Sequence, residues 1–268
     1  MLDIEAYAAH LGLSGPLEPT LETLRALHKR HLMTVPFDNA RHVHKGAAVW
    51  DEAAGADPQE LFEHLITGRN GGVCHELNGL FRTLLRQLGF DVFILSAGIR
   101  GADQQFGPDL DHMLNGVRID GELYLADVGY VGPSFVEPLH VSPEIQEQNG
   151  FRFQVVEDGD YHIVRRQGAT GDWIPVFRFR DEPRELTAWD GYAASLTDRA
   201  EWEWEGQQLS STTVIRGRAF ETGQKILIGR RHVISENGTE TFKTIIDKQA
   251  YEDLVADILR TETARAAA

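Results

Sequence analysis

The sequence predicts an α+β fold in which a helical first third precedes an all-β middle section and a mixed last third. Leu77, Leu80, Phe81, Leu84, Leu85 and Leu88 form one apolar stripe at helical spacing, closed by Gly89 as a C′ residue. From Asp91 the helical period gives way to short apolar runs of strand length, beginning with Val92, Phe93, Ile94 and Leu95. Asp120-Gly121 then separates two strand-like segments, a strong signal for a two-residue hairpin turn.

Taken in order, the first helix is marked by Leu21, Leu24, Leu27, His28 and His31, after Pro19 and Thr20, which end a turn and cap a helix. A second begins at Asp57, with Pro58 in the first-turn position and Glu60 three residues after the cap, a capping-box arrangement, and should stop near Gly68. The leucine-striped third helix follows Gly71-Gly72-Val73, and the three are expected to pack as a small bundle. Strand candidates are the hairpin from His112 to Gly129, then Arg152 to Val156, Tyr161 to Arg165 and Val176 to Arg180. The last third combines a partly helical stretch from Glu185 to Glu203 with strands around Thr212 to Ile215, Lys225 to Ile228 and Arg231 to Ile234. A helix from about Asp247 to Leu259 and a short Ala-rich end complete it. Boundaries fall near residues 90 and 195, and there is no internal repeat.

A chain of 268 residues buries a sizeable core without disulfides or a structural metal. Hydrophobic residues at 42% and charged residues at 25% are those of a globular protein. The net charge of −15 argues against a nucleic-acid partner, which needs clustered Lys and Arg to displace counterions. Met1 to Leu11 carries Asp3 and Glu5 and lacks a basic start followed by an apolar run, so no signal peptide is expected, nor any membrane span. Cys74 is the single cysteine, which leaves no internal disulfide, no multi-cysteine zinc site and one candidate thiol, and fits a reducing cytoplasm.

Cys74 lies at the start of the third helix, where free N–H groups and the positive dipole end favour thiolate over thiol. The preceding glycines allow close backbone approach to a ligand, and the spacing to Leu77 points the side chain toward the bundle interior. The same residues also suit a small, inert core cysteine beside turn glycines. If Asp120 and Gly121 are the turn residues, Ile119 faces Glu122, Leu114 faces Asp127 and His112 faces Gly129. Alternation then puts His112 and Asp127 on one face, as diagonal neighbours with Cβ atoms roughly 7 Å apart, among Leu114, Leu123 and Leu125. Such a pair is either structural or a base with its orienting carboxylate. A glycine-presented thiol in the same chain favours the second reading: Cys74 as nucleophile, His112 as base, Asp127 as orienter.

Gly71-Gly72-Val73-Cys74-His75-Glu76-Leu77-Asn78, His112 and Asp127-Val128-Gly129-Tyr130 resemble the arylamine N-acetyltransferase family, and Val35-Pro36-Phe37-Asp38-Asn39 is similar to its Pro-Phe-Glu-Asn segment. The similarity runs over roughly residues 20 to 140. It implies a helical bundle at 1–90 carrying the nucleophile, an antiparallel β-barrel at 91–195 carrying His and Asp, and an α/β lid at 196–268, around a cysteine-protease-like core. It also implies a Cys74-His112-Asp127 triad, substrate or cofactor contacts at Phe37, Gly72, Val73, Gly129, Tyr130 and Gly132, and structural support from Glu76 and Asn78.

The implied reaction moves an acyl group from a thioester to an aromatic amine through an acyl-cysteine. Acyl-coenzyme A or an acyl carrier protein would supply the donor, with no tightly bound cofactor. Three features depart from the family: Asn70 stands where arginine usually precedes the glycines, which puts an arginine pairing with Glu76 in doubt. His75 replaces an aromatic residue, and Val131-Gly132-Pro133-Ser134-Phe135 replaces Gly-Phe-Gly. These look more like the amide synthases that close ansamycin polyketides, which leaves that macrolactam-forming branch and an ordinary acetyl-coenzyme A-dependent arylamine N-acetyltransferase equally open. Gly129 and Gly132 would admit a phosphate-bearing donor arm or simply make a turn. The competing classes are a cysteine hydrolase of papain or transglutaminase type and a binding module without catalysis. A metal site from Cys74, His75 and His112 lacks zinc spacing, and His42 and His44 read as surface or loop residues.

Overall fold

The computed structural model describes residues 1–52, 55–101, 103–168, 171–195, 201–204, 207–210 and 213–260. Thr212 and the Ala-rich end lie outside the described residues, as do parts of the stretch before Glu203. An amphipathic helix that the spacing did not announce, α1 (Ile4–His10), opens the chain, capped by Asp3, which accepts the Ala6 N–H at 2.9 Å. Helix α2 (Leu21–Thr34) starts at Thr20, whose hydroxyl accepts the Thr23 N–H. Helix α3 (Pro58–Phe62) is capped by Asp57, but through the Gln59 N–H at 2.7 Å, one residue earlier than a capping box places it. It then loosens into a π-helical turn, Glu63–Thr67, before Gly68. Helix α4 (Cys74–Gln87) ends as its sequence indicates, with Gly89 at φ 90. Leu24, Leu27, Phe62, Leu77, Phe81 and Leu84 are buried together, so the helices pack as the bundle that their stripes require.

The middle of the chain forms an eight-stranded antiparallel sheet that curls into a nearly closed barrel. Its strands are β2 (Asp91–Ile99), β3 (His112–Ile119), β4 (Glu122–Ala126), β5 (Leu139–His140), β6 (Gln146–Gln148), β7 (Phe151–Asp158), β8 (Tyr161–Gln167) and β9 (Trp173–Phe179), in the order β5-β4-β3-β2-β9-β8-β7-β6. The hairpin register is the expected one: Ile119 faces Glu122, and Asp120 and Gly121 take φ 53 and 85, the left-handed pair that a type I′ turn needs. At the seam between β5 and β6, side-chain amides replace a backbone ladder. Gln146 accepts the His140 N–H at 2.9 Å and donates to its carbonyl, while Gln148 accepts from Val136 and Glu137. Leu95, Leu114, Leu125, Phe153, Phe177 and Phe179 fill the interior.

A two-residue strand, β1 (Phe37–Asp38), joins a second sheet with β12 (Ile215–Phe220), β13 (Gly223–Ile228), β14 (Arg231–Glu236) and β15 (Thr239–Thr244), in that order. Along the chain, the two sheets are separated by a 3-10 turn at Leu186–Trp189, the short helix α5 (Tyr192–Ser195) and the hairpin β10 (Glu201–Trp204) and β11 (Gln207–Ser210). Helix α6 (Lys248–Leu259), capped by Asp247, closes the described chain. Among the described residues, no helix is long and apolar enough to cross a membrane.

Candidate active site

Cys74 is the first residue of α4, after an extended Val73, and Glu76 reaches back to accept the Val73 N–H at 3.0 Å. Neither Gly71 nor Gly72 uses a left-handed φ. Crowding by the neighbouring chain, rather than approach to a ligand, is what excludes a side chain. A Cβ on Gly71 would lie 2.7 Å from Asp38 Cβ, and one on Gly72 would lie 2.9 Å from Leu65 Cδ2. Gly72 N–H donates to Pro36 O at 3.2 Å and Asp38 N–H to Gly72 O at 3.0 Å, so β1 lies directly against the approach to the cysteine. Cys74 is half-buried, and it does not face the bundle interior. It packs against a separate cluster containing Trp50, Ile94, Met113, Trp189 and Tyr192, because the first residue of a helix projects beyond the stripe set by later turns.

His112 and Asp127 are both buried, and His112 Nε2 lies 2.7 Å from Asp127 Oδ2. The ladder ends at Asn115 opposite Ala126, so the pairings of Leu114 with Asp127 and His112 with Gly129 do not form. The backbone leaves the sheet there because Asp127 Oδ1 accepts the Gly129 and Tyr130 N–H groups at 3.0 and 3.1 Å. Asn78 supports this turn. Its Nδ2 donates to Asp127 Oδ1 and to Met113 O, and its Oδ1 accepts the Val128 N–H. With Nε2 on the carboxylate, Nδ1 of His112 is left for another partner, and Cys74 packs beside this pair, against Met113 and with its backbone next to Gly129.

Burial pushes the Cys74 thiol up, but hydrogen bonds from His112 and then His75, with the charge of both rings, outweigh it and bring the thiol down to about 6. Burial disfavours the His112 cation, yet the Asp127 carboxylate, its hydrogen bond and the adjacent sulfur raise the imidazole to about 10. Asp127 stays below the usual carboxylate range: burial opposes this, but the His112 charge and the hydrogen bonds from His112, Asn78 and Gly129 prevail. The opposite directions of the two shifts favour a thiolate–imidazolium pair over a neutral thiol beside a neutral imidazole.

Glu76 is buried and takes its partners from a segment that the sequence left as loop. His42 Nε2 lies 3.2 Å from Glu76 Oε1, and the Arg41 guanidinium donates to the same oxygen. Arg41 thus supplies the cation for which Asn70 leaves no source. His42 is 4% exposed and is no surface residue, because the Glu76 carboxylate draws it inward; His44 is exposed. Burial raises the Glu76 carboxyl, but the His42 and Val73 hydrogen bonds and the charges of His42 and Arg41 bring it to about 2.

Phe37, Tyr130 and Gly132 line one shallow, open depression with Val35, Val128 and Arg218, and Cys74 is not part of its wall. Tyr130 also stands edge-on to His112, with ring centroids 5.6 Å apart. Gly72 and Val73 lie on the approach to Cys74, outside that depression. At Gly129 a Cβ would come within 2.7 Å of Cys74 Cα and 2.6 Å of Asn78 Nδ2, so the space beside it is filled by α4. The site residues that sequence reasoning passed over are Arg41, His42 and Trp50. Their partners are distant in the chain, and only the paired charges at Arg41 and Glu76 offered a signal. Among the described residues no group of His, Cys, Asp and Glu is arranged to hold a metal.

A family model described as N-acetyltransferase matches residues 20–266. The chain is similar to a proansamycin X synthase from Amycolatopsis mediterranei, with 35% identity over 97% of both chains. It is also similar to an arylamine N-acetyltransferase from Mycolicibacterium smegmatis, with 33% identity over 68% of this chain and 66% of the relative. In fold it is similar to the structure of Mycobacterium marinum arylamine N-acetyltransferase in complex with CoA, at a TM-score of 0.77 and 22% identity, covering 99% of this chain and 95% of the other. Fold and sequence together define the chain as an acyltransferase, an enzyme that moves an acyl group to an amine. It belongs to the arylamine N-acetyltransferase family.

Proposed function

We propose that Cys74 is the nucleophile, His112 its proton partner and Asp127 the residue that orients His112, and that the enzyme is an amide synthase joining an aromatic amine to a polyketide-type thioester. The observation that carries the catalytic reading is the position of Cys74 at the head of α4, packed against Met113 and Gly129, beside a His112 held by Asp127 at 2.7 Å. The branch is supported by the match to proansamycin X synthase along nearly the whole chain, whereas the match to the M. smegmatis acetyltransferase covers about two thirds of it. His75 and the Val131–Phe135 segment favour the same branch.

In the first half-reaction the Cys74 thiolate attacks the thioester carbonyl, and the departing donor sulfur takes the proton of His112. In the second, the now neutral His112 takes a proton from the amine as it attacks the acyl-cysteine, and the thiolate leaves beside a renewed imidazolium. N–H groups in the first turn of α4, which have no intrahelical acceptor, face the developing oxyanion. An aromatic amine suits one imidazole because it is already neutral at pH 7. The depression formed by Phe37, Tyr130 and Gly132 is an apolar groove for part of the donor, delivered by coenzyme A or a carrier protein in the cytoplasm. In this scheme 1–90 carries the nucleophile, 91–195 its partners and 196–268 the lid.

Intact-mass analysis after incubation with a short acyl thioester tests the nucleophile: the wild type gains one acyl group, and an adduct that persists in Cys74→Ala refutes the assignment. Amide formation assayed with acetyl-coenzyme A and with a long-chain synthetic thioester tests the branch. Activity confined to the long donor is expected. Equal or greater turnover of acetyl-coenzyme A would instead make the protein an ordinary arylamine N-acetyltransferase, and thioester loss without an amine would make it a hydrolase.

A further inference from the structure

Where the chain leaves the barrel, one peptide unit is gripped from two helices. The β3–β4 ladder ends at Ala126, so the peptide between Asp127 and Val128 lies beyond it. Its N–H donates to Asn78 Oδ1 of α4 at 2.9 Å, and its carbonyl oxygen lies 3.0 Å from His28 Nε2 of α2. The carbonyl and the N–H of a trans peptide point in opposite directions across one rigid plane, so two such contacts fix its rotation. That plane sets the backbone angle at Asp127, whose Oδ1 accepts the Gly129 and Tyr130 N–H groups while Oδ2 meets His112. A tilted peptide would turn the carboxylate away from the imidazole beside it.

His28 is fully buried, stacked on Phe135 with ring centroids 6.0 Å apart and edge-on to Phe81 at 6.3 Å. Its Nδ1 lies 3.0 Å from Val136 O, so one ring spans both ends of the segment 127–136 that carries Tyr130 and Gly132. Carbonyl oxygens only accept, and a neutral imidazole has one N–H to give. A proton on Nε2 points at the residue that bears the buried carboxylate, and the negative charge there favours that tautomer. The Val136 end has a holder of its own, because the Val136 N–H donates to Gln148 Oε1 at 3.0 Å.

We propose that His28 is a positioning residue for the reaction: it donates from Nε2 to the Asp127 carbonyl and, with Asn78, locks the peptide that aims the Asp127 carboxylate at His112. It acts through Asp127 and not on the substrate. The inference rests on Asp127 being the residue that orients His112.

Three variants at position 28 separate this role from packing. His28→Gln puts an amide N–H close to the place of Nε2, His28→Asn puts one near Nδ1, and His28→Phe keeps a ring beside Phe81 and Phe135 with no donor. Cys74 acylation by a synthetic acyl thioester, followed by intact mass over a range of thioester concentrations, gives a maximal rate and a half-saturating concentration for each. His28→Phe and His28→Asn are expected to lower the maximal rate about tenfold with little change in the half-saturating concentration, and His28→Gln to recover most of that loss. Urea unfolding should not separate Gln from Asn. Equal rates in the Gln and Asn variants, or rates that merely follow the unfolding free energies, overturn the role, as does a wild-type rate in a folded His28→Phe. Should His28→Phe fail to fold, the comparison of Gln with Asn decides alone. The ring ¹⁵N shifts of His28 in the wild type at neutral pH should show a protonated Nε2 and a bare Nδ1, and the opposite tautomer equally overturns the proposal. Asp127→Asn separates the two levels. If that variant is acylated at the wild-type rate, the reading of Asp127 itself fails; if it is slowed while the position-28 variants match the wild type, His28 alone is dismissed.

Discussion

Asn78 grips Asp127 from both sides of one amide: its Nδ2 donates to the carboxylate at 2.9 Å while its Oδ1 accepts the N–H of the following residue, Val128, at 2.9 Å. All of these atoms are buried, so the arrangement costs stability if any partner is removed. Asn78→Ala is expected to lower stability by about 1–3 kcal/mol in urea unfolding. It should also reduce turnover more than substrate affinity, because Asp127 loses the donor that fixes its orientation toward His112. Equal losses in a distant buried Asn→Ala control with wild-type turnover in Asn78→Ala would refute the link.

The thiolate–imidazolium pair predicts an unusual pH profile for stability. Unfolded, Cys74 titrates near 9.0 and His112 near 6.5; folded, they sit at about 6 and about 10. The depressed thiol contributes stability that is lost as pH falls toward 6, and the raised imidazole contributes stability that is lost as pH rises toward 10. Between pH 6.5 and 9.0 folded and unfolded chains hold the same number of protons on this pair, so its net contribution to the slope is zero. In Cys74→Ala only His112 remains, and the unfolding free energy should fall with rising pH in that interval by at most about 1.4 kcal/mol per unit. Parallel denaturant titrations of wild type and variant at pH 7 and pH 8.5 check this.

Acid should weaken the bundle before it reaches the carboxylates. Burial lowers His28 to about 4, against the hydrogen bonds to Val136 and Asp127 and the Asp127 charge, and lowers His31 to about 3, assisted by the charges of His28 and His10. The unfolded chain takes up protons near 6.5 that the folded chain refuses, so stability falls as pH drops below 6.5 and continues to fall toward 4. Urea midpoints at pH 7.0, 6.0 and 5.0 should decline, and His31→Gln should flatten part of the decline. A midpoint independent of pH over that range would refute the neutral, buried assignment.

Glu76 and Arg41 form one ion pair of unequal partners. The Glu76 side chain is 6% exposed and that of Arg41 is 49% exposed. Arg41→Ala should therefore cost less than about 1 kcal/mol, whereas Glu76→Ala, which leaves the buried His42 and the Val73 N–H without their acceptor, should cost about 3 kcal/mol. Thermal unfolding of both variants tests the ranking, and a larger loss in Arg41→Ala would reverse it.

The parts of the fold legible in the sequence are those written in local periodicity. The leucine stripe ending at Gly89 announces α4, and Asp120-Gly121 sets the hairpin register that brings His112 near Asp127. What stayed hidden depends on partners far along the chain. Strand β1 is two residues long and exists because Gly217 and Gly72 lie on either side of it. The end of the β3–β4 ladder is set by the Asp127 carboxylate turning the chain and supported by Asn78 from α4, and the burial of His42 by a carboxylate at position 76. Trp50 is invisible as a site residue until the segment carrying it folds over His75.

The short strand at Phe37 and Asp38 touches the Gly72 carbonyl on one side and β12 on the other. Gly72, two residues before Cys74, and the second sheet are consequently joined by continuous main-chain links through β1. A shift of that sheet by a fraction of an ångström would therefore be passed through the backbone to the peptide leading to the sulfur, so the two move as one mechanical unit.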